Sequence, residues 1–318
     1  MRARFVFVAA VLGLMAAPLT SHAITLQVNC DQPKSKLPTI GAALQALNGL
    51  IGNLAPNTIE VTGACKENIT IDGISDLTLT AKNGASITDV SGGTKQVILV
   101  TRSHNFSLNG FAIRGGGGPP FPTAILCIAS SCYFSGNNVQ TQNTVFGVYV
   151  TGGALAYFNG DVIEQSSAGL IVNLSGRVVF LGGAIRNNTF AGVELAEDSF
   201  LFASGTSIDH NGGPGVQLSD HSTLRLTGAT ITANNGAGVV LQTASEARFW
   251  PLQVGNTISG NMGPGVSIGD QSWANFDTFF SSLPNIVSGN GQPDVSCAGH
   301  FSGASNAPTT SGTTNCPP

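Results

Sequence analysis

The sequence predicts an all-β solenoid, a parallel β-coil of about nine rungs of ~23 residues each. Three observations predict it. Four segments, "GAIRNNTFAGVELAEDSFLFASG", "TSIDHNGGPGVQLSDHSTLRLTG", "ATITANNGAGVVLQTASEARFW" and "NTISGNMGPGVSIGDQSWANFD", share one frame. Their anchors Ile185, Ile208, Ile231 and Ile258 stand 23, 23 and 27 residues apart. Within each rung, apolar and polar residues alternate over three short segments, which is strand periodicity at lengths too short for a helix. Charged residues are only 9% of the chain and Gly numbers 41, a composition that leaves disorder or many tight turns, and the regular apolar spacing decides for turns.

The chain opens with Arg2 and Arg4, an apolar run from Phe5 to about Leu19, and Ser21-His22-Ala23, the pattern of an export leader over residues 1–23. Its removal leaves 11 basic against 17 acidic residues, so the mature chain is acidic and no nucleic-acid partner is expected. No later run is long enough to span a membrane, so membrane insertion is not expected. A secreted or periplasmic monomer is the expectation.

Residues 24–80 read as a cap and first coil. Ile40, Ala43, Leu44, Leu47 and Ile51 form one helical face, suited to lie across the open end of the solenoid. The strand-like "TIEVTGACKENITI" and "LTLTAKNGASI" follow. Residues 81–297 read as the repeats, with looser rungs anchored on Ile87, Ile113, Val139 and Ile163 before the regular four and on Val287 after them. Inward residues of one rung are Ile185, Val193, Leu195, Leu201 and Ala203. Three slots recur beside the anchors: Asn188, Asn211, Asn234, Asn261 and Asn290; Gly192, Gly215, Gly238 and Gly265; and Ser199, Ser222, Ser245 and Ser272. Stacked asparagines hydrogen-bond along the axis and tolerate the left-handed backbone of a tight corner. The serines suit another corner. Residues 298–318 are low in complexity and read as a tail held only by its cysteine.

Six cysteines in an exported chain read as disulfides. Fifteen pairings are possible. Their distribution favours Cys30 with Cys65, Cys127 with Cys132, and Cys297 with Cys316.

The helix, the coil "PNTIEVTGACKENITID" and repeats of the form I-x-x-N-x-x-x-G-V-x-L resemble the pectin-lyase-like right-handed parallel β-helix superfamily over roughly Ile24 to Cys297. That resemblance implies a right-handed coil and a polysaccharide partner. It covers glycan-processing enzymes, tailspikes and non-catalytic surface proteins alike. Polygalacturonase-type motifs are missing, as the chain has no Asp-Asp, Gly-His-Gly or Arg-Ile-Lys, and the Asp-Pro-His of alginate epimerases is absent too. Ile208-Asp209-His210 matches the end of the pectate lyase Trp-Ile-Asp-His pattern, with Ser207 where the Trp would stand.

The frame separates His210 from His221 by a strand, on the order of 15 Å, and sets each at a corner. Glu164, Arg186 and Asp209 share one slot on successive rungs, so the acids flank an arginine and lie ~9.6 Å apart. That distance is near the upper limit for an inverting glycosidase pair, yet Arg186 between them would hold both acids ionised. The alternatives are an exposed ion-pair ladder, worth under ~1 kcal/mol per pair, and a lyase with Arg186 as base. Glu197, Asp198, Asp220 and Asp270 recur at another corner; no cofactor is expected, and calcium there is the single candidate, against a solvated turn. Phe200, Phe202, Arg225, Arg248 and Trp273 point outward from the third strand, and aromatic faces beside guanidinium groups suit a glycan chain. Longer connections after this strand (Phe249 to Asn256, Phe276 to Asn285), with Arg114 to Pro122, would either wall a groove or fold over the aromatics. Two functions follow: a secreted protein that binds, and in one version processes, an extended polysaccharide, or a structural or adhesive surface protein.

Overall fold

The computed structural model describes residues 23–49, 56–118, 121–141, 145–251, 254–277, 284–291, 293–298, 302–305 and 312–316. The leader expected over residues 1–23 lies outside the described residues but for Ala23, as does Ile51 of the expected helical face. Three parallel sheets run the length of the chain, one of twelve strands and two of ten. One rung shows the plan: Phe200–Ser204 lies in the twelve-stranded long sheet, Ser207–Asp209 in the anchor sheet and Val216–Leu218 in the valine sheet, before Thr223–Thr227 returns to the long sheet. Register is strict, with Ile185, Ile208, Ile231 and Ile258 opposite one another. No helix among the described residues is long and apolar enough to cross a membrane.

Period-2 alternation drives the coil. In Phe200–Ser204 the inward Leu201 and Ala203 are fully buried while Phe200, Phe202 and Ser204 are partly open. Like residues stack from rung to rung, so Phe134, Phe158 and Phe180 form a continuous ring pile with centroids 4.7 and 5.0 Å apart. Phe249 and Phe276 repeat this at 4.5 Å.

The recurring slots each have a steric or hydrogen-bonding cause. Asn188, Asn211, Asn234, Asn261 and Asn290 are buried, and each Nδ2 donates to the Oδ1 one rung on at 2.9 Å, up to Asn290. The left-handed backbone expected of these asparagines belongs instead to the residue before each: Asn187, His210, Ala233 and Gly260 have φ of 55°, 55°, 55° and 66°. This leaves the Asn side chain pointing inward and the preceding side chain outward at the corner. The Gly slot is a contact requirement. A Cβ on Gly215 would stand 2.6 Å from Ile231 Cγ2, 2.7 Å from the Gly238 carbonyl and 2.9 Å from Asn234 Nδ2. At the valine-to-long corner, Ser222 Oγ accepts from the Ser199 N–H and Ser272 Oγ from the Ser245 N–H.

The cap is a helix over Ile40–Asn48 that buries Ile40, Ala43, Leu44 and Leu47. Thr39 Oγ1 accepts from the Ala42 N–H, and the carboxylate of Glu67, one coil away, accepts from Ile40 and Gly41 at 2.8 and 2.9 Å. The disulfides are Cys30–Cys65, Cys127–Cys132 and Cys297–Cys316, bonds of an oxidising, non-cytoplasmic compartment. Residues 312–316 of the tail are held by more than the cysteine. Thr314 pairs in parallel with Val295, and Thr313 donates its backbone N–H to Asp294, so main-chain hydrogen bonds as well as the disulfide hold residues 312–316.

Candidate functional site

Two outward surfaces carry the residues singled out by the sequence. The first is the outer face of the long sheet. Tyr133, Tyr157, Val179, Phe202, Arg225, Arg248 and Asn275 stand opposite one another on seven successive rungs, a run of roughly 29 Å at ~4.8 Å per rung. A second row holds Leu155, Arg177, Phe200, Thr223, Glu246 and Trp273. Trp273 is 46% exposed, Leu155 41% and Tyr133 37%, whereas Phe200 and Phe202 are half-buried. Arg177 lies 5.9 Å from the Phe200 ring centroid. The side chains thus form a shallow apolar track with cations along it.

The guanidinium groups at the far end are not free, as the outward pattern implied. Trp250, from the connection after the strand, folds back over both Arg225 and Arg248, with centroids 5.3 and 5.4 Å from the two guanidinium carbons. Arg248 also donates to Asp277 at 2.7 Å, which commits its charge. So Trp250 of this connection covers the two arginines. The Trp273 ring packs on the tail strand Gly303–Ser305, where a Cβ on Gly303 would meet it at 2.3 Å. In the segment Arg114 to Pro122, Arg114 ends an anchor-sheet strand and Phe121 packs edge-on to Tyr149 of the valine sheet at 4.6 Å, both on faces other than this track. Residues 119–120, 252–253 and 278–283 of these connections lie outside the described residues.

Tyr133, Tyr157 and Trp250 were missed in the sequence. The tyrosines were legible, since "SCYFS" and "LAYFN" fall in the Phe202 slot once the frame is carried upstream. Trp250 sits in an irregular connection where the frame gives no direction.

The second surface is the corner between anchor and valine sheets, where Glu164, Arg186 and Asp209 occupy one register position on successive rungs. The expected symmetric ladder is absent. Arg186 Nε donates to Glu164 at 3.1 Å, but Asp209 takes its hydrogen bonds elsewhere, from Ser207 Oγ and against His210 Nδ1, each at 2.6 Å. The Ser207 hydroxyl and the adjacent imidazole lie on Asp209's own rung and reach it first. Asp209 and His210 therefore do pair, contrary to the expectation that Asp209 answers to the neighbouring rungs, while His221 lies at a separate left-handed corner.

Glu164 is buried, so the reading of an exposed ladder fails for it. Burial pushes its carboxyl up, but hydrogen bonds from Gln140, Asn138 and Arg186 outweigh this and hold it below the ordinary carboxylate range. A general acid needs the opposite shift. The proposed corner acids Glu197, Asp198 and Asp220 sit at left-handed turn positions. Among the described residues, the group of three potential metal ligands with converging atoms is Cys30, Cys65 and Glu67, and its cysteines are disulfide-bonded.

The family model described as right handed beta helix region matches residues 96–250. No curated protein matches the chain in sequence. Among solved structures, the Dettilon tailspike protein superposes with a TM-score of 0.59 at 13% identity, covering 87% of this chain and 62% of its own. This chain thus spans about three-fifths of that protein's length. The pectate lyase Pel9A superposes with a TM-score of 0.52 at 12% identity, covering 94% of this chain and 80% of its own. At such identities the likeness speaks to architecture, and it agrees with the sheets, the register and the capped end: the chain has the pectin-lyase-like fold, a right-handed parallel β-helix.

Proposed function

We propose that the chain is an exported protein that binds an extended polysaccharide along the outer face of the long sheet, and that Glu164, Arg186 and Asp209 do not form a hydrolytic centre. The observation that carries the reading is the seven-rung track with Tyr133, Tyr157, Phe202 and, in the next row, Phe200 and Trp273. Apolar sugar faces stack on such rings, and a linear track matches a linear ligand. Exposed aromatics along a parallel ladder are otherwise costly, which favours an occupant. One structural neighbour is named for its action on pectate. Against hydrolysis, the Glu164 carboxyl is held ionised and Asp209 is separated from Arg186 by its own hydrogen bonds.

The test is binding of the mature protein to oligogalacturonate, oligoalginate and neutral oligosaccharides, with reducing ends and unsaturated products followed in parallel. Phe202→Ala is expected to weaken the preferred ligand about tenfold, the loss of one stacked ring. Both tryptophans of the chain, Trp250 and Trp273, belong to this face, so binding should also shift tryptophan emission. Turnover abolished by Arg186→Ala would overturn the non-hydrolytic part. No affinity for any glycan would leave a structural or adhesive role.

A further inference from the structure

We propose that the corner between the anchor and valine sheets is a second binding groove, for a neutral, hydroxyl-rich glycan segment of about four units. Two concavities of about 670 and 680 Å³ adjoin there and share Thr141 and Gln165 in their linings. The corner column runs Thr141, Gln165, Asn187 and His210 on four successive rungs, left-handed at the last three, then falls to Ala233 and Gly260. Polar side chains thus project at ~4.8 Å intervals over roughly 14 Å and stop. A pyranose unit in an extended chain rises by a similar distance, so each rung presents an amide, a hydroxyl or an imidazole to one unit. Amides offer both donor and acceptor, the pairing a sugar hydroxyl needs.

The charged groups bordering the groove are already committed within the protein. Asp89 accepts from Asn68, Ser91 and Gly93; Arg114 donates to the Ile113 carbonyl and to Asn138; Glu164 is held by Arg186, and Asp209 by Ser207 and His210. Three carboxylates, Asp89, Glu164 and Asp209, stand along this corner against two guanidinium groups, Arg114 and Arg186, so an acidic sugar meets net negative charge, and like charges at close range repel. A neutral ligand exchanges hydrogen bonds with Gln165 and Asn187 at no such cost. This inference does not depend on the track on the long sheet, which lies on another face and holds both tryptophans.

That separation supplies the test. The mature protein is titrated by calorimetry and by tryptophan emission with cellohexaose, mannohexaose, xylohexaose and laminarihexaose. The expected result is binding heat from at least one hexaose without a change in emission, weakened at least tenfold in a Gln165→Ala/Asn187→Ala double variant. Alanine is admissible at both sites, because Ala233 already occupies the same left-handed position with φ 55°, and urea unfolding of the double variant confirms that it folds. Binding that moves the emission, binding that the double variant retains, or no binding by any of the four hexaoses overturns the inference.

Discussion

Replacing Asn234 by Ala removes the middle of the amide ladder, and the structure sets the size of the loss. Asn234 is completely buried. Its Nδ2 donates to Asn261 Oδ1 at 2.9 Å and to the Ile208 carbonyl at 3.1 Å. Its Oδ1 accepts from the Asn211 N–H at 3.0 Å and from Asn211 Nδ2 at 2.9 Å. Four hydrogen bonds at ~0.5–1.5 kcal/mol net give about 2–6 kcal/mol, and the stranded Asn211 N–H, which water does not reach, places the value near the middle, about 4 kcal/mol. Asn188 opens the ladder and makes two such bonds, from the Ser166 N–H and to Asn211 Oδ1, so Asn188→Ala should cost about half as much. Urea unfolding with the disulfides intact measures both, and an unchanged slope certifies that stability alone has moved. The ratio is a sharper test than either value, since the scale per bond cancels. If Asn234→Ala costs no more than Asn188→Ala, or under ~1 kcal/mol, the ladder is not a cooperative stack and the slot needs another explanation.

Two further perturbations test the cap and the buried acid. Glu67→Ala strips the Ile40 and Gly41 N–H groups of their acceptor, and should cost ~1–2 kcal/mol and quicken proteolysis near the cap, with Glu67→Gln recovering part of both. Unchanged proteolysis would mean that Thr39 caps the helix unaided. Asp161 is buried, and desolvation raises its carboxyl to about 6 against hydrogen bonds from Asn137 and Asn159. Between its unfolded value near 3.8 and about 6 the native state holds the proton that the unfolded chain has released. Stability from this group is therefore full below the unfolded value and is lost as pH rises through that window, by ~3 kcal/mol at most. Asp161→Asn should flatten the fall in unfolding midpoint between pH 4 and 6; a wild-type slope in the variant would show that Asp161 titrates normally.

The repeat was legible because its slots are set by contacts between like residues: an Ile, an Asn amide and a Gly without Cβ meet at each rung, so the same letters must return. From that frame the sheets, the register and the inward residues follow. Even the corner positions of His210 and His221 follow, since both take left-handed φ values in columns shared with Ala and Gln. What the frame could not give was the choice among partners of an outward side chain. Glu164, Arg186 and Asp209 sit in one column as the spacing required, but a column fixes Cα positions and not rotamers. Asp209 turned to Ser207 and His210 because they are local and need no reach across rungs. The same holds for Arg225 and Arg248, whose cover is Trp250, a residue in a connection outside the repeat. Regular slots encode backbone; irregular insertions decide which outward surface stays open.

How the ladders end reveals a rule that the letters also carry. In the long stack every amide donates forward, toward the C-terminus, so the last asparagine still needs an acceptor beyond it. A further Asn would pass that demand on, whereas a carboxylate is acceptor-only and closes the series. Asn290 donates both its N–H and its Nδ2 to Asp294, and Asp294 takes the Thr313 N–H with its other oxygen, which fastens the tail to the end of the stack. A shorter stack at the long-to-anchor corner stops likewise: Asn137 donates its N–H and Nδ2 to Asp161, and Gly183 on the next rung offers no side chain. The two carboxyls shift in opposite directions for a physical reason. For both, burial pushes the carboxyl up; around Asp294 the hydrogen bonds from Asn290 and Thr313 outweigh it, and around Asp161 they do not. At the same corner further on, Asn256 donates to Asn285, whose amide turns back to the Phe249 and Asp277 carbonyls, so there the main chain closes the stack instead of an acid. An aspartate thus closes each of these two stacks, Asp161 one rung on from Asn137 in that corner's amide column, and Asp294 from the glycine column of Asn290's own rung.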